Sequence, residues 1–182
     1  MNVYEIKTGL VDRVALLVIP EAEQTLDGAE RFLGDGQEIS WPQPQRLTYY
    51  SEPKKKALPR ADVSPFLPGS LVLNEKAKQA LGPLLSRFGQ LLAVDVDGET
   101  QHFFNATTVL RCIDRSTSQT RPGGAVGKEA FIDSAIPLEP TIFKDPATAS
   151  TRLYANSAAR QELEDAAAAA SVVGLVFKQA GV

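Results

Sequence analysis

The 182-residue chain contains 43% hydrophobic and 23% charged residues, which is typical of a soluble globular protein with one domain or two small lobes that share a core. The net charge of −3 and the pI of about 5.3 disfavour a nucleic-acid binder that depends on a general basic surface. Cys112 is the single cysteine. No internal disulfide can form, so we expect a reducing compartment.

The first 13 residues, MNVYEIKTGLVDR, contain no basic stretch that leads into an apolar run. This pattern predicts that the chain has no secretory signal. The apolar run VALLVI at residues 14–19 is too short to cross a bilayer. We therefore expect a cytoplasmic protein that does not associate with a membrane.

The N-terminal third is predicted to contain two strands and a short helix. Residues 2–8, NVYEIKT, alternate apolar and polar side chains as a strand does, and residues 14–19 form a continuous apolar run that fits a buried strand. Residues 22–33, AEQTLDGAERFL, fit a short helix that nearby glycines weaken. Six prolines between residues 41 and 68 then predict an extended loop or a domain boundary.

A strand–helix–strand unit begins at residues 71–73, LVL, where Asn74 can cap the helix that follows. Pro83 predicts a kink or a break near Gly82, and Gly89 is expected to stop the helix. The apolar residues of this helix recur on one face: Ala77, Leu81, Leu84, Leu85 and Phe88.

A β-hairpin is predicted after this helix. LLAVDV at residues 91–96 is the first strand, and the pair Asp97–Gly98 is a strong signal for a tight turn. The second strand is QHFFNATTVLRCI at residues 101–113. The polar, glycine-containing residues 114–129 predict a loop, followed by a short strand in AFIDS and a stretch, IPLEPTIFKDP, that prolines interrupt.

A second unit of the same kind closes the chain. TRLYA is a strand, Asn156 or Ser157 can cap a helix, and VVGLVFK is the final strand. The stretches VLNEKAKQAL and YANSAARQEL place Asn, Ala, Lys or Arg, Gln and Leu in register 82 residues apart. These shared positions hold no nucleophile, acid or metal ligand, so the repeat indicates architecture. The second helix has its apolar face at Ala159, Leu163, Ala166, Ala167 and Ala170.

The pattern as a whole predicts an α+β fold. It consists of a mixed, mostly antiparallel sheet on which the two strand–helix–strand units pack, because neither helix can bury its apolar face alone. We expect an N-terminal lobe at residues 1–60, with the proline-rich loop, and an α+β domain at residues 61–182.

Residues with catalytic potential are few. His102 is the only histidine, and a hydrolase would have to combine it with Asp95, Asp97 or Glu99 across the predicted hairpin. A single histidine on a strand beside a turn is more simply a structural residue. Cys112 lies in an apolar segment, which is typical of a buried and unreactive thiol.

Metal and phosphate sites are not predicted either. One cysteine and one histidine cannot assemble a usual zinc site, and DVDGE at residues 95–99 lacks the later ligands of a calcium loop. RPGGAVGK at residues 121–128 resembles a phosphate-binding loop, but Glu129 stands where that loop needs Ser or Thr. The sequence predicts a protein that is not an enzyme and uses no cofactor.

Charge is distributed unevenly along the N-terminal third. Between residues 21 and 38 six acids stand against Arg31 alone, and between residues 46 and 60 five bases stand against Glu52. Both segments can be solvated loops. Alternatively, the first is an acidic face for a basic partner and the second a basic hinge beside it. The acids are Glu21, Glu23, Asp27, Glu30, Asp35 and Glu38, and the bases are Arg46, Lys54, Lys55, Lys56 and Arg60.

Trp41, the only tryptophan, lies in the proline-rich segment between Ser40 and Pro42. Its ring can pin the loop to the core. It can also anchor a partner protein, because tryptophan is enriched at the centres of interfaces. The sequence leaves both interpretations open.

The order of segments from the proline-rich stretch onward resembles a family of bacterial immunity proteins from polymorphic toxin systems, first described as a domain of unknown function. The matching features are the LPG turn at residues 67–69, the helix that enters GQLLAV, the FFNATTV strand, the KEAFID segment and the closing GLVFK. The resemblance covers roughly residues 60–180.

The resemblance implies that the chain binds and inactivates a cognate secreted toxin delivered between competing bacteria, for example by type VI secretion. The toxin domain is expected to be C-terminal and to be a nuclease, so the chain itself would contact neither nucleic acid nor membrane. The family provides no catalytic residues. Its role would be to occlude the toxin's active site, with an acidic surface in place of the phosphates that a nuclease cleft accepts.

The residues predicted to bind this partner are the acids of the first segment, with the hairpin acids second and Trp41 as an anchor. Two other classes stay open, namely a small hydrolase that uses His102 and a non-catalytic adaptor module. The predicted set comprises Glu21, Glu23, Asp27, Glu30, Asp35, Glu38, Trp41, Asp95, Asp97 and Glu99.

Overall fold

The computed structural model describes residues 2–9, 13–52 and 54–181, and of Leu26 only the backbone. Pro53, one of the six prolines of the predicted loop, lies outside the described residues. The first 13 residues, which were predicted to contain no secretory signal, include residues 1 and 10–12, and these also lie outside the described residues.

The strands form two main sheets and a small hairpin. The first sheet has the order β10-β11-β1-β12 and the second has the order β2-β3-β6-β7-β5-β4. Pairing between strands is antiparallel except between β3 and β6. The strands are β1 (Val3–Thr8), β2 (Leu17–Val18), β3 (Gln45–Tyr49), β4 (Val63–Ser64), β5 (Leu71–Leu73), β6 (Gly89–Val96), β7 (Glu99–Ala106), β8 (Gln119–Thr120), β9 (Val126–Lys128), β10 (Ile142–Phe143), β11 (Tyr154–Asn156) and β12 (Leu175–Gln179).

The described helices are short to medium in length. They are α1 (Leu26–Glu30), α2 (Glu75–Leu85) and α3 (Ser157–Ala169), together with single 3₁₀ turns at Glu21–Glu23 and Asp133–Ala135. The α+β class with mostly antiparallel pairing is therefore confirmed.

The two predicted strand–helix–strand units are present and have the same topology. In one, β5 and β6 flank β7 in the second sheet and are joined by α2; in the other, β11 and β12 flank β1 in the first sheet and are joined by α3. The structure differs from a single mixed sheet because each unit pairs with its own central strand. Two sheets result, with the helices between their inner faces.

The asparagine caps are confirmed at both helices. The Asn74 side-chain oxygen accepts a hydrogen bond from the Ala77 amide at 2.9 Å, and that of Asn156 accepts one from the Ala159 amide at 2.9 Å. Each cap satisfies an amide that the first helical turn leaves without an intrahelical partner. Asn156 is the more buried of the two at 1% exposure, and it also accepts from the Thr141 amide and donates to two carbonyl oxygens.

One apolar cluster joins both helices to both sheets. It contains the buried side chains of Leu81 and Leu85 from α2 and of Ala159 and Leu163 from α3. The first sheet adds Ile6, Ile142 and Ala155 to the same cluster, and the second sheet adds Leu71, Leu73 and Phe104. The core therefore lies between the two sheets and depends on both helical units at once.

Of the kink or break expected near Gly82, the break is absent, because α2 continues through Pro83. The helix runs to Leu85 and is capped by Ser86, whose amide bonds to the Gly82 carbonyl at 2.9 Å. Because Pro83 lies in the last turn, its missing N–H removes a single backbone hydrogen bond. The helix ends before Gly89, which is the first residue of β6.

The predicted hairpin at Asp97–Gly98 is confirmed. Val96 pairs with Glu99 across a two-residue turn in which Asp97 has φ 52° and Gly98 has φ 87°. Positive φ at both central residues is what a tight hairpin turn of this type requires. The second strand ends at Ala106, well before residue 113, because the next two amides both turn to the Phe88 carbonyl.

Residues 121–128, which resembled a phosphate loop, form the turn and second strand of the β8–β9 hairpin. Glu129, which follows this hairpin, is buried and forms an ion pair with Arg152 and a hydrogen bond with the Tyr154 hydroxyl at 2.7 Å. Burial raises the pKa of Tyr154 above its ordinary value, so its hydroxyl stays a donor. Glu129 thus attaches the hairpin to the first sheet.

The first 60 residues are joined to the remainder by sheet pairing. β1 lies between β11 and β12, and β3 pairs with β6. The proline-rich stretch at 41–68 is not one loop, because it contains β3 and β4. The strand expected at residues 14–19 is limited to β2, and AFIDS holds a 3₁₀ turn rather than a strand.

The caps lead to a stability prediction. Asn156→Ala is expected to lower the free energy of unfolding by roughly 2–4 kcal/mol, because it removes a helix cap and leaves buried donors and acceptors without partners. The matched change Asn74→Ala removes a half-buried cap and is expected to cost about 1 kcal/mol. Urea unfolding of both variants measures the difference; equal losses would contradict the role given to Asn156.

Candidate partner-binding surface

The acidic segment packs on the second sheet, next to β2. It consists of the 3₁₀ turn at Glu21–Glu23 and the five-residue helix α1, whose cap is the Thr25 hydroxyl, 3.1 Å from the Gly28 amide. The single helix expected at 22–33 is therefore divided into two short turns. Gly28 is required there because a β-carbon would overlap the carbonyl oxygen of Glu23.

Arg31, the one base within the acidic segment, ties that segment to the sheet. Its guanidinium lies 3.2 Å from the Glu23 carboxylate and donates to the Gln45 side-chain oxygen of β3 at 2.7 Å. Its carbonyl oxygen accepts a hydrogen bond from the Trp41 indole at 3.0 Å. Arg31 thereby fixes the position of the segment and forms an ion pair with one of its acids, Glu23.

Trp41 belongs to an aromatic cluster on the outer face of the second sheet. Its ring lies 5.2 Å from that of Phe32 and 5.8 Å from that of Phe103, and Phe66 completes the cluster. These contacts are those expected of a residue that pins a loop. Its second role, as a partner anchor, stays a prediction.

A pair of side-chain amides holds the end of the acidic segment. Gln90 of β6 accepts from the Ile39 amide at 2.8 Å and donates to the Ile39 carbonyl at 3.2 Å. Asn105 of β7 donates to the Gln37 carbonyl at 2.7 Å and to Gln90 at 2.9 Å. Gly34 is required at this contact, because a β-carbon would overlap the Asn105 side chain.

Three of these hydrogen bonds act on the segment as a further strand would, and the fourth joins the two amides to each other. The three connect the main chain of residues 37–39 to β6 and β7 through the half-buried Gln90 and the buried Asn105, where shielding from water strengthens such bonds. The acidic segment is therefore held at both ends, by Arg31 and by the amide pair.

The two acidic groups predicted from the sequence meet at one cavity. This cavity, of about 300 Å³, is lined by Glu21 from the acidic segment, by Asp95 and Asp97 from the hairpin and by Arg46 from β3, among others. Residues 21 and 95 are far apart in the chain, and the parallel pairing of β3 with β6 brings their segments together. We call this cavity with the acidic side chains of residues 21–30 the acidic surface.

The hairpin acids also have structural hydrogen bonds. Asp97 accepts from the Thr48 hydroxyl at 2.6 Å and from the Tyr49 amide at 3.3 Å, and Asp95 accepts from the Gly98 amide at 2.7 Å. Asp97 therefore holds the turn against β3, Asp95 closes the turn itself, and both carboxylates keep a fixed orientation at the cavity.

Other predicted acids lie apart from this cavity. Glu99 is paired with Arg60 at 3.6 Å. Burial lowers the pKa of Lys144 overall, and the charge of Asp35 offsets part of this effect. Glu38 is exposed and does not line the cavity. The acidic surface is thus smaller than the predicted set of residues.

The basic segment lies at the far end of β3. The Arg60 guanidinium sits 4.3 Å above the Tyr49 ring, and Lys55 is 2.5 Å from the Glu52 carboxylate. Lys55 and Lys56 line a groove of about 460 Å³ with Tyr50 and neighbouring residues. Arg46, the first base of the basic segment, lines the cavity of the acidic surface.

His102 lies on β7, where it pairs in register with Leu73 and Ala93. Burial, followed by the charge of Lys78, lowers its pKa below the ordinary value. In the described part of the chain its buried Nδ1 has no hydrogen-bond partner. The contacts of the three hairpin acids in the described residues are with other groups, namely the Gly98 amide, β3 and Arg60, and none is with His102.

Cys112 is fully buried, and burial, with the nearby Asp145 carboxylate, raises its pKa to about 12. The thiol is protonated at neutral pH and is a poor nucleophile. Asp145 itself accepts from the amides of Cys112 and Ile113 at 2.8 Å. Within residues 2–9, 13–52 and 54–181, no group of three or more His, Cys, Asp or Glu side chains is placed to hold a metal ion.

Sequence reasoning missed Gln90, Asn105 and the role of Arg31. A signal existed for the first two, since each is a polar amide directly beside apolar residues of a strand, in GQLLAV and in FFNA. Buried polar side chains are nearly always hydrogen-bonded. Their partners could not be named, because these lie more than fifty residues away for Gln90 and more than sixty for Asn105.

No family model matches this sequence, and no curated protein matches it either. Among the described residues, no helix combines the length and the apolar character needed to cross a membrane.

The amide pair can be tested by substitution. Gln90→Ala is expected to lower the free energy of unfolding by about 1–3 kcal/mol, because it leaves main-chain groups of Ile39 without partners. Hydrogen exchange at the Ile39 amide is expected to accelerate as the acidic segment loosens. Gln79→Ala, on the exposed face of α2, is the control. Unchanged exchange at Ile39 in the Gln90 variant would show that the segment is held by other contacts.

Proposed function

We propose that this chain is an immunity protein that binds a cognate bacterial toxin and occludes its active site. The observation that carries the proposal is the acidic surface, at which acids from two distant parts of the chain line one cavity. The resemblance of residues 60–180 to immunity proteins supports the same conclusion. The toxin is proposed to be a nuclease, delivered between competing cells, and the binding to take place in the cytoplasm.

The charge of the acidic surface suits a basic partner. Glu21, Asp27 and Glu30 are exposed, and none has an ion-pair partner among the described residues. Their carboxylates remain available to cationic groups of a second protein. A nuclease cleft presents such groups to its substrate, and carboxylates at matching positions take the place of phosphates. Charge complementarity of this kind accelerates association and selects the partner.

The rigidity of the acidic surface suits tight inhibition. Arg31 and the Gln90–Asn105 pair hold the segment in the free protein. Little conformational entropy is then lost when the toxin binds, so more of the contact energy appears as affinity. An inhibitor without turnover needs this property, because it has to remain bound while the toxin persists.

The geometry gives less support to the other two classes. A hydrolase at His102 would need an orienting carboxylate, but Asp95 and Asp97 bond to the turn and to β3, and Glu99 pairs with Arg60. An adaptor could use the same acidic surface, and it would differ from an immunity protein in the partner and not in the fold.

Charge reversal tests the proposed surface. The triple variant Glu21→Lys, Asp27→Lys and Glu30→Lys is expected to weaken binding to the proposed cognate toxin domain by roughly 100-fold or more, mainly through slower association. Glu23 is left in place because its pairing with Arg31 supports the segment. Association and dissociation rates, with growth of cells that co-express toxin and variant, are the measurements.

The control variant carries the same change of charge elsewhere. Glu139→Lys, Glu162→Lys and Asp165→Lys alter three exposed acids outside the acidic surface. This control should bind and protect as the native chain does. If both triple variants lose affinity equally, net charge and not the acidic surface governs binding; if neither does, the toxin contacts another face.

A substitution at His102 distinguishes an inhibitor from a hydrolase. His102→Gln keeps a similar volume at this half-buried position, and protection against the toxin is expected to be unchanged. A hydrolase would lose its general base and with it roughly 10²–10⁴-fold in rate. Thermal unfolding verifies that the variant is folded. Loss of protection in a variant of native stability would replace the inhibitor proposal with the hydrolase.

A further inference from the structure

Three of the four edge strands of the two main sheets are covered by other parts of the chain. At β2 the Leu17 amide donates to the Pro65 carbonyl at 2.8 Å, and at β4 the Val63 amide donates to the Val173 carbonyl at 3.0 Å. Beyond β10, the Lys144 amide donates to the Thr108 carbonyl at 3.0 Å. Proteins protect edge strands in this way because unpaired backbone groups are a template for further pairing.

The fourth edge strand, β12, has no such cover among the described residues. Its pairing with β1 is bounded by hydrogen bonds from Gly9 to the Gly174 carbonyl and from Ala180 to the Val3 carbonyl. Since hydrogen-bonded positions alternate along an antiparallel pair, the odd-numbered residues of β12 direct their N–H and C=O groups outward. These residues are Leu175, Phe177 and Gln179.

The surroundings of β12 are apolar for an edge. The side chain of Val176 is 46% exposed, and that of Val173, just before the strand, is 57% exposed. Lys178 is the one charged residue within the strand. Close contacts of Gly174 with Val63 and of Gly181 with Glu129 limit the open edge to the five residues of β12.

We propose that β12 pairs with β12 of a second copy of this chain, in antiparallel orientation about a two-fold axis at Phe177. The two four-stranded sheets then become one continuous eight-stranded sheet. This interface is isologous, since the same five residues serve both partners.

The outward backbone groups match in this register. Leu175 faces Gln179 of the second copy, Phe177 faces its own counterpart, and Gln179 faces the second copy's Leu175. All three are hydrogen-bonded positions, so each pair exchanges two N–H to O=C bonds. A shift by one residue would place inward-directed groups at the seam, and a shift by two would leave one of the three outward residues without a partner in the opposite strand, so the register centred on Phe177 pairs the most outward groups.

The side chains match as well. On the inner face, Ile6 and Phe177 are neighbours across β1 and β12, and the axis extends this apolar row to Phe177 and Ile6 of the second copy. Cross-strand aromatic pairs of this kind stabilise sheets.

On the outer face, Val176 stands opposite Lys178 of the second copy. Lys178 is already beside Glu5 of its own β1. No pair of like charges is therefore directly opposed at the seam, and the one cation of the strand keeps its acidic neighbour.

A second copy fits this edge better than a toxin strand does. The edge carries little charge, whereas the proposed toxin contact depends on carboxylates of the second sheet. β12 belongs to the first sheet. Self-pairing thus uses a different sheet from toxin binding, and the inference does not rest on the proposed function.

Sedimentation equilibrium of the purified full chain over a wide concentration range tests the proposal. The native chain is expected to form a dimer. Gln179→Pro removes one outward N–H per copy, hence two hydrogen bonds per dimer, without removing a bond to β1, and should weaken the dimer by about tenfold or more. Gln179→Thr, which favours a strand and keeps the N–H, should leave dimerisation intact.

A native chain that stays monomeric at all concentrations would overturn the proposal, and so would a dimer that Gln179→Pro leaves unchanged. If the monomeric chain instead loses toxin affinity on Gln179→Pro, the edge belongs to the toxin. Should the proline variant fail to fold, hydrogen exchange of the native chain at increasing concentration tests whether β12 pairs with a second copy. The amides of Leu175, Phe177 and Gln179 must become protected as concentration rises, and concentration-independent exchange refutes the pairing.

Discussion

The structure depends on the shared burial of two helical faces that cannot be buried separately. α2 and α3 each present a stripe of small and medium apolar side chains, and these meet in one cluster with the inner faces of both sheets. Truncating a central member such as Leu81 or Leu163 would remove contacts from both units, at a cost of roughly 2–5 kcal/mol. The two asparagine caps set where each helix enters this cluster.

This arrangement leaves the outer face of the second sheet for other elements. The aromatic cluster around Phe32 and Phe103 covers it, and the acidic segment rests there through Arg31 and the Gln90–Asn105 pair. In the first sheet, by contrast, no other described segment pairs with the outer edge of β12. The acidic surface proposed for a basic partner thus lies on one sheet and the edge proposed for strand pairing lies on the other, with the same central core between the two sheets.

Local chemistry made several features predictable. Asn74 and Asn156 cap helices because their side chains accept amide hydrogen bonds, and Asp97–Gly98 forms a hairpin because both residues tolerate positive φ. Predictions failed where long-range pairing decided. β3 lies in a proline-rich stretch that was expected to be a loop, and it is held as a strand by pairing with β2 and β6. The helix expected at 22–33 divides because Gly28 packs against the Glu23 carbonyl.

Periodicity, capping chemistry and charge were enough to predict the class of fold, the two repeated units and the acidic character of residues 21–38. The tertiary structure was needed to show that the units occupy two sheets, that Glu21 shares a cavity with Asp95 and Asp97, and that β12 has no further strand partner among the described residues. Such features depend on which distant strands exchange hydrogen bonds. That choice is made by the packing energy of the whole chain, and no local pattern records it.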